Sequence, residues 1–129
     1  MNDKVYFSFI EQVLHYFDRP HESPATAPVE SSAAWCGSRM PSLEEMAFPL
    51  SDEHRDELRT AVASAAALGR PTRDLTAADF PLPSLAHEIR AWRDTLADGL
   101  GFQVVRGVPV HGWSQEDAEL FFWCFGCLL

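Results

Sequence analysis

A chain of 129 residues has the length of one domain and leaves no room for separate catalytic and binding domains. With 47% hydrophobic and 22% charged residues it reads as a folded globular protein and not a disordered one. Its 10 Lys+Arg against 19 Asp+Glu give a net charge of −9, a surface sign that repels phosphate backbones and anionic lipid, so neither nucleic acid nor a membrane is an expected partner.

No run of about 18 apolar residues exists to span a bilayer. The apolar start Val5-Tyr6-Phe7-Ser8-Phe9-Ile10 is broken by Glu11 and lacks the basic region and small-residue cleavage site of a signal peptide. Three cysteines, an odd number, do not make a disulfide framework, and a reducing, cytoplasmic setting is expected.

Asp3 to Phe17 places Val5, Phe9, Ile10, Val13, Tyr16 and Phe17 on one helical stripe, with Asp3 as cap and Pro20 as stop. From Arg19 to Pro41 the periodicity gives way to a loop, because Pro20, Pro24 and Pro28 are too closely spaced for a helix or a central strand. Trp35, in these polar surroundings, is expected to anchor the loop on a neighbouring apolar surface. A helix is predicted from Ser51, a good N-cap followed by Asp52 and Glu53, to Leu68, stopped by Gly69 and Pro71. Leu58, Ala61, Val62, Ala65 and Leu68 form its buried stripe, and Glu53, Arg55, Asp56, Glu57 and Arg59 its solvent face.

After a loop carrying Leu75 and Phe80, Pro83 and Ser84 open a second helix with Leu85, Ile89, Trp92 and Leu96 on one face and Gly99 as its end. Phe102 to Arg106, between Gly101 and Gly107, is the one convincing strand. A lone strand leaves two unpaired edges, so a partner is expected around Val108 to Val110 or near Ala47 to Leu50. Pro109 to Trp113 is a turn-rich exit, and Ser114-Gln115-Glu116-Asp117 has the form of a capping box. The helix it starts runs through Leu120, Phe121, Phe122, Trp123 and Phe125, apolar nearly all round, which demands burial against something.

Few residues carry chemistry. His54-Arg55-Asp56 has the His-x-Asp form of mononuclear non-haem iron sites, but on a helix positions i and i+2 point about 200° apart and cannot clasp one ion. Cys124-Phe125-Gly126-Cys127 has redox or zinc spacing. A redox pair, however, belongs at a helix N-terminus, and a zinc site would need Cys36 and His111, which form no second pair. Buried free thiols are therefore expected at Cys124 and Cys127, a surface role for His111, and simple solubilising charge at Glu44 and Glu45.

Ser31-Ser32-Ala33-Ala34-Trp35, the Ser51 helix, Asp79-Phe80-Pro81-Leu82-Pro83, and above all Gly99-Leu100-Gly101-Phe102-Gln103-Val104-Val105-Arg106-Gly107-Val108-Pro109-Val110 followed by Trp113-Ser114 and a Phe-rich helix form a further pattern. It resembles the N-terminal part of the TauD/TfdA-like, clavaminate synthase-like oxygenases. The resemblance covers residues 31 to 129, leaves residues 1 to 30 outside it, and is strongest from Gly99 to Val110. It implies an α+β fold, with helices and the first strand of a double-stranded β-helix, a jelly-roll barrel incomplete in this chain.

The resemblance also implies Fe(II) and 2-oxoglutarate as cofactors and oxidation of a small organic substrate. It places the family's iron ligands and its 2-oxoglutarate-binding Arg after the Phe-rich helix, so this chain is expected to lack them and to be inactive alone, an N-terminal fragment or split product. His54 and Asp56 do not match the ligand positions, and no catalytic, cofactor-binding or metal residue is assigned. The alternative is a small helical interaction module that self-associates through its Phe-rich C-terminus.

Overall fold

The computed structural model describes residues 8–18, 26–28 and 30–129. The element order is α1 (Phe9–Asp18), α2 (Leu43–Met46), β1 (Ala47–Pro49), α3 (Asp52–Ala67), α4 (Ala86–Asp98), β2 (Val104–Arg106) and α5 (Gln115–Gly126), with short 3-10 turns at Gly37–Arg39, Thr72–Asp74 and Ala77–Asp79. This is a helix-dominated α+β arrangement whose one sheet, among the described residues, is a parallel pair.

Local chemistry sets most helix starts. The Ser51 hydroxyl accepts from the His54 N–H (3.2 Å), and the Ser114 hydroxyl from the Asp117 N–H (3.1 Å), each answered by the partner side chain accepting from the cap backbone. The same device starts α1, where Ser8 N–H donates to Glu11 Oε2 (2.7 Å) and Glu11 N–H to Ser8 Oγ (3.3 Å). Glu11 is therefore a capping residue, and the Ser8 backbone N–H holds its carboxyl below the ordinary range. Val5, the Asp3 cap and the Pro20 stop lie outside the described residues, as does the side chain of Tyr16. Most of the described stripe is not buried: Phe9 is 80% exposed, Ile10 and Phe17 are exposed too, and Val13 is half-buried.

The core forms where α3, α4, α5 and the segment between α3 and α4 meet. Leu58, Ala61, Val62 and Ala65 of α3 are buried against Leu75, Phe80, Leu82 and Leu85, Ile89 and Trp92 of α4, and Leu120 and Cys124 of α5. A line of rings joins them: Trp92 meets Phe125 (6.2 Å), Phe125 meets Phe121 (5.1 Å), and Phe121 meets Phe80 (6.4 Å) and Trp113 (5.2 Å). Two predicted stripe ends miss this core. Leu68, the C-cap of α3, is 49% exposed, and Leu96, in the last turn of α4, is exposed too.

The predicted α3 solvent face needs correcting at two residues: Arg55 is half-buried, its guanidinium lying against Gly107, and so is Glu57. The Glu57 carboxylate accepts from both the Ser84 N–H (3.0 Å) and the Ser84 hydroxyl (2.5 Å). α4 accordingly starts at Ala86, not at Ser84, behind the N-cap Leu85, which offers no side-chain acceptor. The α3 carboxylate does the anchoring that the local sequence does not.

The strand is shorter than Phe102 to Arg106, and its partner is Ala47 to Pro49; Val108 to Val110 instead makes a tight turn, with Val110 N–H donating to Val108 O (2.8 Å). Ala47, Phe48 and Pro49 lie beside Val104, Val105 and Arg106, and Leu50 N–H donates to Arg106 O (2.9 Å). A parallel pair requires a long crossover, which α3 and α4 supply. Backbone groups alternate in direction along a strand, so Phe48 and Leu50 face β2, whereas Ala47 and Pro49 face outward. Pro49, which has no N–H, sits where β2 asks for none.

Candidate functional site

His54 and Asp56 do not form a metal site. His54 stands in the first turn of α3, where its Nδ1 accepts from Ser51 N–H (3.3 Å) and its ring lies 5.9 Å from that of Phe48. Asp56 is exposed and bridged by the Arg59 guanidinium at 2.6 Å. The imidazole closes a helix cap and the carboxylate an i,i+3 ion pair. Among the described residues no group of three or more His, Cys, Asp or Glu is placed to hold an ion. His54 and Asp56, held by these bonds, thus do not fit the iron that the resemblance implies.

The cysteine pair is split by the helix surface. Cys124 is buried in the core, and desolvation, then the neighbouring Cys127 and Asp79, raise its thiol pKa. Cys127, expected to be buried, is exposed: it is the C-cap of α5, one residue past the end of the helix. A buried thiol with a raised pKa at the C-terminal end of a helix is the reverse of what disulfide exchange needs. Cys36 is exposed on its loop, where the Ser38 hydroxyl, 3.3 Å from the sulfur, and then the Ser38 backbone lower its thiol pKa. His111 is exposed in the exit turn.

Glu45 is more than solubilising charge: it accepts from Ser42 N–H (2.8 Å) and the Ser42 hydroxyl (2.8 Å), closing a capping box on α2, and those bonds hold its carboxyl below the ordinary range. The Ser42-x-x-Glu45 spacing was the available signal for α2. Asp79 is held low in the same way, by the Thr76 backbone N–H and hydroxyl and then by Arg70. Arg70 bridges Asp79 (3.0 Å) and also donates to Asp74 O, tying together the turn that presents Leu75 and Phe80 to the core.

Two surfaces remain with features that packing alone does not use. The first is the outer edge of β2. The alternation that turns Val104 and Arg106 toward β1 turns the N–H and C=O of Val105 away from it, and no partner for them lies among the described residues. On the segment that leads into β2, Trp35 rests edge-on against Phe102 (5.6 Å) and its Nε1–H donates to Leu100 O (3.2 Å). The loop is anchored as expected, although Trp35 stays half exposed.

The second surface is the outer face of α5. Leu120 and Cys124 point inward, Phe121, Trp123 and Phe125 are half-buried, and Trp123 Nε1–H donates to Leu75 O (3.1 Å). Phe122 alone of the aromatic run is turned out, 81% exposed. It borders an open, mostly apolar groove of about 510 Å³ whose other walls include Ala118 and Trp123, with Arg73 and Glu119 on the rim. A second groove, of about 320 Å³, lies on its far side against Gly126 and Cys127.

No helix among the described residues is long and apolar enough to cross a membrane. No protein-family model matches the chain, and no curated protein matches it.

Proposed function

We propose that residues 31–129 form the N-terminal portion of a TauD/TfdA-like oxygenase fold, a double-stranded β-helix whose members use Fe(II) and 2-oxoglutarate to oxidise a small organic substrate, and that this portion alone binds neither cofactor. One observation carries the reading. The two sequence blocks on which the resemblance rests, Ser31 to Trp35 and Gly99 to Val110, pack on each other through Trp35, Leu100 and Phe102. The open edge at Val105 supports it further, because β2, paired with β1 on one side only, is an edge strand that a larger sheet would extend. The free thiols at Cys36 and Cys127 suit a cytoplasmic setting.

Anaerobic titration of the chain with Fe(II) and 2-oxoglutarate tests the claim about cofactors. The expected result is no metal-to-ligand charge-transfer band, and a stoichiometric band would overturn it. Amide hydrogen exchange tests the edge. Val105 N–H exchanges freely while Arg106 N–H, turned to β1, is protected; equal protection of both would remove the support that the edge gives.

The exposure of Phe122 between its two grooves favours a second reading, an interaction module that self-associates through α5. Sedimentation across a concentration series distinguishes it. Self-association lost in Phe122→Glu supports this reading, and a wild-type chain that stays monomeric throughout excludes it.

A further inference from the structure

We draw no further inference here: the strongest candidate, the apolar groove between the start of α4 and Leu128 with Arg93 at its rim, is shallow and open, and nothing in the structure shows what covers it.

Discussion

The bond pair between Glu57 and Ser84 joins elements 27 residues apart in sequence and secures the start of a helix that lacks its own cap. Replacing Glu57 with Ala removes the acceptor for one backbone N–H and one hydroxyl. A hydrogen bond to a charged group contributes about 1.5–3 kcal/mol; these two share one carboxylate that is still half in water, so a loss of about 2 kcal/mol is expected for the pair. At roughly 4 °C per kcal/mol for a domain of this size, Tm falls by about 8 °C. Ser84→Ala deletes the hydroxyl but keeps the N–H bond and costs about 1 kcal/mol. Urea unfolding followed by far-UV circular dichroism measures both, and the double variant closes a cycle whose coupling should reach about 0.5–1 kcal/mol. A Glu57→Ala loss below about 0.5 kcal/mol, or strict additivity in the cycle, would show that the carboxylate is merely near Ser84 and does not hold α4.

Phe80, fully buried between α3 and α5, should cost about 3–5 kcal/mol on truncation to Ala, read from the same urea curves, and a loss under about 1 kcal/mol would place it outside the core. A chromogenic thiol reagent should modify Cys36 and Cys127 in the native chain and Cys124 only after unfolding; simultaneous reaction of all three would contradict the burial of Cys124. Because Asp79 is held below its ordinary range, the unfolded chain binds more protons there, so stability rises with pH. That contribution is complete above the unfolded aspartate range and lost as pH falls through the folded value. Tm measured against pH should therefore slope less steeply on the acid side in Asp79→Asn than in the wild type, and parallel slopes would refute the role given to Thr76 and Arg70.

Legibility in the sequence followed the range of each interaction. Ser51 and Ser114 announce α3 and α5 because a cap and its partner are three residues apart, and Gly99 marks the end of α4 for the same local reason. The capping boxes at Ser8 and Ser42 had the same signal, hidden by an apolar run in one case and by a paired-acid reading in the other. Glu57 could not be read this way. Nothing in Glu53 to Arg59 distinguishes it from its charged neighbours, and its partner is set by how α3 lies against the start of α4. The exposure of Leu68, Leu96 and Cys127 is not legible for a related reason: a hydrophobic period says which residues share a face, not how much of that face the rest of the chain covers. For the site, the sequence was correct that His-x-Asp on a helix cannot clasp an ion, a matter of helical geometry alone, but it did not show the bonds that occupy His54 and Asp56 instead.

The sequence by itself thus determined the α3, α4 and α5 segments with most of their inward residues, the position of β2, and the two segments that could pair with it. Those features rest on backbone conformation and on side chains within one turn of each other. Tertiary structure alone decided that Ala47 to Pro49 is the partner, that the pair is parallel, and that Pro49 turns its nitrogen outward while Val105 leaves a donor and an acceptor open. It also decided that, of the four aromatics from Phe121 to Phe125, Phe122 is the one that faces water. The physical reason is that register and coverage are properties of two surfaces meeting. A strand or an apolar stripe carries the capacity to pair, and only the packing of α3, α4 and α5 determines which part of that capacity is used.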